Sequence, residues 1–298
     1  MSFDLYFYKK KESALTEKDV ATYLNHNLPC NISDHARQWN YANPETGVYF
    51  LIDWNDPNED YEESEGFEGL VDLNFNFSLN FFRPDFFGIE SFPIVEKLAS
   101  DLGVIIHDPQ ADGEAEISDN LTPGALCASW LKQNKKLTAQ MFEELKLRYM
   151  PAEKSNYVWQ FQTNRLKLEA GLTEDIFVPN IIVMQSDADL QLYTICVWPE
   201  HIPIMLPKVD YVIIKKVYKS FFKTVEESGM VRYDTIVKEL GGAFAKFECD
   251  VPDLIILRQR EADNCVKKFN KLKIVSAVTA FGNRLSMDNF ANTQAAQS

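Results

Sequence analysis

The clearest pattern in the chain is an alternation over residues 72–81: Leu73, Phe75, Phe77, Leu79 and Phe81 fall on one face, Asp72, Asn74, Asn76, Ser78 and Asn80 on the other. A period of two held this long predicts a half-buried antiparallel strand about 33 Å long. Its polar face is short-chained and neutral apart from Asp72, which suits a solvated surface or a docking surface. The same period marks a first strand over Phe3 to Tyr8, where Phe3, Leu5 and Phe7 alternate with Asp4, Tyr6 and Tyr8. Thr16 and Asp19 have capping-box spacing and Leu15 and Val20 staple spacing, so a helix is predicted to about Asn25. Gly47 to Trp54 reads as a buried strand, Ser91 to Leu102 as a helix stopped by Gly103, and Val104 to His107 as a short strand. The order β-α-β-β-α-β is that of a split βαβ, ferredoxin-like arrangement, an antiparallel sheet with helices packed on it.

Further along, Thr122-Pro123 opens a helix and a second helix is predicted from about Thr138 to Tyr149, ended by Pro151. A boundary there divides the chain into an α+β domain over 1–150, a second α+β domain over 151–285 and a disordered tail over 286–298, which is poor in apolar residues. In the second domain Tyr157 to Gln162, Phe177 to Gln185 and Leu190 to Trp198 read as strands. Between Asp210 and Glu227, Tyr211, Ile214, Tyr218, Phe221 and Val225 recur at helical spacing opposite Lys215, Lys216, Lys219 and Lys223, so a basic amphipathic helix is predicted. A helix over Tyr233 to Leu240, a strand over Leu254 to Leu257 and a helix over Glu261 to Leu272 complete the reading.

Charge changes the picture. The 298 residues carry a net −14, yet residues 51–119 alone hold 18 Asp or Glu against Arg83 and Lys97. The peak runs from Asp53 to Glu68, eight acids and no base, whereas residues 201–298 are net +4. Such a block attracts basic proteins or cations and repels nucleic acid. The apolar runs are too short to span a membrane, and no basic segment precedes an apolar one at the N-terminus, so the expected location is the cytoplasm. The five cysteines never form a Cys-x-x-Cys pair and read as reduced, small hydrophobes.

Phe3-Asp-Leu-Tyr-Phe-Tyr-Lys-Lys, Glu45-Thr-Gly-Val-Tyr-Phe and Arg83-Pro-Asp-Phe-Phe-Gly-Ile-Glu-Ser-Phe-Pro give residues 3–110 the texture of a group of uncharacterised bacterial proteins. That group loosely resembles the immunity proteins of polymorphic toxin systems. The resemblance implies a cytoplasmic binder that neutralises a cognate toxin, and it brings no catalytic residues with it.

Candidate chemistry is sparse. Asp108, Gln110, Asp112, Gly113 and Asp119 approximate a calcium loop, but a strand precedes them, Pro109 occupies the second position and Asp119 stands where Glu supplies bidentate coordination. His26, Cys30, Asp34 and His35 lack the paired spacing of structural zinc, and His107 and His201 stand alone, so neither a metal nor a cofactor is expected. No nucleophile elbow, phosphate loop or dinucleotide fingerprint occurs. Adjacent acids such as Glu62 with Glu63 and Glu143 with Glu144 lack the apolar wall that general-acid work needs. Phe82, Phe86 and Phe87 are expected to fill the core beneath the second helix, or else to anchor a partner.

The expectation is therefore a binding protein of immunity or antitoxin type that covers a basic cleft on a toxin enzyme. Its contact residues are Trp54, Asp56, Glu59, Asp60, Tyr61, Glu62, Glu63, Glu65, Phe67 and Glu68. The alternatives are a hydrolase with a carboxylate pair between the two halves, and a structural or regulatory interaction protein.

Overall fold

A computed structural model describes residues 1–29, 37–58, 66–111, 117–118, 122–220 and 223–295. The chain is a mixed α+β protein divided into two units, the first Met1–Ala152 together with the chain from Asp288, the second Glu153–Met287. In the first unit the order is β1 (Ser2–Lys10), α1 (Glu17–Asn27), β2 (Gln38–Ala42), β3 (Tyr49–Trp54), β4 (Leu70–Asn80), α2 (Phe86–Leu102), β5 (Ile105–His107), β6 (Ile117–Ser118) and α3 (Ala125–Met141). The strands form one antiparallel sheet in the order β2-β3-β4-β1-β5-β6. Its middle four strands keep the split βαβ order, and β2 and β6 extend it at the two edges.

Alternation decides which face is buried. Phe3, Leu5, Phe7, Phe50, Ile52, Phe75, Phe77 and Leu79 are all buried, with Phe92 of α2 edge-on to Phe3 at 5.7 Å and tilted on Phe77 at 5.5 Å. Burying each such ring contributes about 1.5–3 kcal/mol. Thr16 caps α1 through the reciprocal bonds with Asp19, and Gly103, at φ +66, ends α2 in the left-handed region that glycine reaches without strain. The strand over 72–81 is less regular than its pattern. Tyr6 pairs with Asn76 and Tyr8 with Asp72, so Leu73, Asn74 and Phe75 oppose Phe7 alone, and Asn74 takes φ +59 in this bulge.

Several elements differ from the sequence reading. Trp39 and Tyr41 give β2 only two apolar positions among polar neighbours, too few to announce a strand, yet both are buried. The helices predicted from Thr122 and Thr138 are one helix, α3, followed by a turn. The aromatic segment starts α2 five residues earlier than expected and buries Phe86 and Phe87. Within the tail expected to be disordered, Phe290 and Ala291 are buried in the first unit. There Ala291 exchanges backbone hydrogen bonds with Arg148 and Met150, and the Asn292 side chain accepts from the Asp85 N–H and donates to the Met150 carbonyl.

The second unit comprises α4 (Ala152–Ala170), β7 (Ile181–Ser186), β8 (Leu192–Trp198), β9 (Ile204–Leu206), β10 (Tyr211–Ser220), β11 (Lys223–Arg232), α5 (Tyr233–Leu240), β12 (Ala245–Lys246), β13 (Ile255–Leu257), α6 (Gln259–Phe269) and β14 (Phe281–Leu285). A sheet in the order β11-β10-β8-β7-β14 packs Cys196, Trp198, Val212 and Ile214 against Phe161, Ile236 and Phe269, and β12-β13-β9 form a smaller sheet. Two predictions fail here. Tyr157 to Gln162 lies within α4, where Val158 and Phe161 face the core three residues apart. The predicted basic helix is the β10–β11 hairpin. Its helical subset of apolar positions ignored Val212, Ile213 and Val217, and this β-branched density favours a strand. Lys216 is thereby buried, donating to the Leu272 carbonyl and pairing with Glu227 at 2.8 Å.

Candidate partner-binding face

The face of the first sheet opposite its core is polar, and strand register assembles it. One cross-strand row reads Gln38, Asp53, Asn76, Tyr6, His107, and the next reads Asn40, Leu51, Ser78, Asp4. Beyond the bulge Tyr8 stands opposite Asp72. These positions hold three carboxylates, Asp4, Asp53 and Asp72, and no lysine or arginine. Most are half-buried rather than fully wet, because neighbouring side chains of the row cover one another.

Hydrogen bonds fix the geometry. Asp4 accepts from Ser78 at 2.6 Å through one oxygen and from Ser2 at 2.8 Å through the other, while its backbone N–H donates to Gln110. Asn55 donates to Asn76 at 3.0 Å, and Asp72 accepts from the Asn74 N–H at 2.7 Å. Burial pushes the Asp53 carboxyl above its ordinary value, against the hydrogen bond from Gln38. Burial, then the charges of Asp4 and Asp72, push the Tyr6 phenol up. The face thus carries negative charge on short, hydrogen-bonded side chains of a rigid sheet. It has acceptors in excess and offers a basic surface both charge and direction.

Of the predicted contact residues, Glu59, Asp60, Tyr61, Glu62, Glu63 and Glu65 lie outside the described residues. The other four are placed. The Trp54 ring lies under the Arg37 guanidinium at 5.0 Å, and Asp56 pairs with the same Arg37 at 2.9 Å. The Asp56 carboxyl is held low, chiefly by the Asn58 N–H and side chain and further by Arg37. Phe67 packs edge-on against Tyr8 at 5.3 Å and His107 at 4.8 Å, so it serves the fold, while Glu68 is exposed. A base from outside the acidic run, Arg37, therefore meets its first residues. Nothing in the local sequence signalled this pairing, because it depends on β2 lying beside β3.

Asp4 and Tyr6 escaped the sequence reading, and Asp53 was read only as the start of the acidic run, for a similar reason: single polar positions on different strands become a surface only through register. The one advance signal was the unbroken Asn, Ser and Asp series of β4. His107, read as a lone histidine, is buried beside Tyr6 and Tyr8, with ring centroids 5.9 and 6.0 Å away.

The weaker candidates separate. His26 donates through Nδ1 to the Thr22 carbonyl within α1, and Cys30, Asp34 and His35 lie outside the described residues. Asp108 is buried and bound by Ser129 and the Gln110 N–H, which makes it a structural turn; Asp112 and Asp119 are not described. Glu143 and Glu144 are exposed in the turn after α3. Among the described residues no cluster of metal-ligating side chains occurs, and no helix is long and apolar enough to cross a membrane. Compared with protein-family models, curated proteins and solved structures, the chain shows no match.

Proposed function

We propose that the chain is a cytoplasmic binding protein that captures a basic protein through the acidic open face of its first sheet, in the manner of an immunity protein covering a toxin enzyme. The observation that carries this reading is the pair of cross-strand rows in which Asp4 and Asp53 stand among hydrogen-bonding groups with no lysine or arginine, with Asp72 beside them beyond the bulge. Clustered carboxylates speed encounter and fix orientation, and a rigid sheet presents them with little ordering cost. The acids from Glu59 to Glu68 extend the same charge in sequence. Nucleic acid and anionic membrane are repelled by this field.

The test is calorimetric titration of the full chain with a basic protein domain, a toxin domain where a neighbouring gene encodes one. The triple variant Asp4→Asn, Asp53→Asn, Asp72→Asn should weaken binding at low salt and flatten its salt dependence, while circular dichroism stays unchanged. Equal affinity and equal salt dependence in the folded variant would overturn the assignment to this face.

A further inference from the structure

We propose that residues 288–293 form a latch, a separately releasable strap that holds the turn leading into α2 and the exit of the chain at Arg148–Met150. Three sets of contacts converge on this short segment. The Asp288 carboxylate accepts from the Tyr49 hydroxyl at 3.1 Å, and that hydroxyl accepts from Arg83 at 2.9 Å. Ala291 pairs through its backbone with Arg148 and Met150, as an isolated bridge at Tyr149 rather than part of a sheet. The Asn292 amide joins the two places it holds, accepting from the Asp85 N–H at 2.6 Å and donating to the Met150 carbonyl at 2.8 Å.

The turn it holds needs support. Phe82 takes φ +61, a conformation unfavourable for an aromatic residue, and Asn134 of α3 fixes it by accepting from the Phe82 N–H at 2.7 Å and donating to the Arg83 carbonyl at 2.8 Å. Asp85 stands at the start of α2 without a side-chain cap bond, so the helix entrance is fixed by Asn134 on one side and Asn292 on the other. A strap with one bridging residue opens at lower free energy than a six-stranded ladder, so its release leaves the sheet standing. Opening uncovers the side chains beside Phe290 and frees the aromatic turn. Release of the latch is read from exchange and capture by the acidic face from binding, so either can fail without the other.

Hydrogen exchange followed by mass spectrometry on the full chain tests it, comparing the wild type with Phe290→Ala and Asn292→Ala. Peptides spanning 81–88 and 146–151 should exchange about tenfold faster in Asn292→Ala and on the order of 100-fold faster in Phe290→Ala, with β1, β4, β7 and β8 unchanged. Unchanged rates in both variants overturn the proposal. So does acceleration spread evenly over β1 and β4, which would make the segment an ordinary part of the core. Asn292→Ala, which keeps Phe290, decides the matter where Phe290→Ala does not fold.

Discussion

Glu90 of α2 fixes the β2–β3 hairpin, and with it one edge of the acidic face. One carboxylate oxygen accepts from the Tyr41 hydroxyl at 2.7 Å, the Asn43 amide at 2.8 Å and the Thr46 hydroxyl at 3.0 Å. Tyr41 and Thr46 are buried, 4% and 1% exposed, so water cannot easily replace the acceptor. Glu90→Ala strands two buried donors at about 1–3 kcal/mol each and one outer donor at less, so the expected loss is at least about 2–6 kcal/mol. Glu90→Gln keeps one oxygen in place, removes the charge and puts an amide NH2 where the second oxygen stood, for an expected loss of about 1–2 kcal/mol. Urea titration read by hydrogen exchange on peptides of β2 and β3 reports the first unit alone, which a whole-chain signal would not in a protein of two units. A Glu90→Ala loss below about 1 kcal/mol, or a Glu90→Gln loss equal to that of Glu90→Ala, would refute the claim that this oxygen organises the hairpin.

Three further outcomes are expected. Gly88→Ala places a Cβ 2.6 Å from Cε3 and 2.9 Å from Cζ3 of the fully buried Trp130, so the first unit should lose about 1–3 kcal/mol in thermal or urea unfolding, with partial recovery in Gly88→Ala, Trp130→Leu. Asp53 holds its proton more tightly folded than unfolded, so its contribution to stability falls as pH rises from the ordinary carboxylate value through the raised one. Asp53→Asn should therefore stabilise the protein more at pH 7 than at pH 3, and equal effects at both would contradict the burial argument. Lys216→Ala leaves the Leu272 carbonyl without its donor and should cost the second unit about 1–3 kcal/mol, measured as faster exchange in β10 and β11, with no change in β1 or β4.

Legibility in the sequence followed the range of the signal. The capping box at Thr16 and the stop at Gly103 are local and stand in the structure as read, and the β4 series keeps its alternation of burial across the bulge at Asn74. What failed depends on distant partners. The β10–β11 segment offers apolar positions at both periods, and pairing with β8 selects the strand. Phe290 and Ala291 look like tail residues until Arg148 and Met150 are beside them. The acidic block was legible as charge, but the surface formed by Asp4, Tyr6, Asp53 and Asn76 required the register of β1, β3 and β4. Arg37 shows the same limit from the other side, since a run counted as free of base meets one across the hairpin.

The division of the first unit between Met1–Ala152 and the chain from Asp288 also orders events in time. On the ribosome, its sheet and α2 emerge before the second unit, and Phe290 and Asn292 follow only after roughly 135 further residues. At about 5–20 residues per second that is a delay of roughly 7–27 s. During it the entrance to α2 lacks its Asn292 bond and the side chains that enclose Phe290 stand uncovered. Nascent chains in this interval should be the form of the protein that chaperones and proteases recognise.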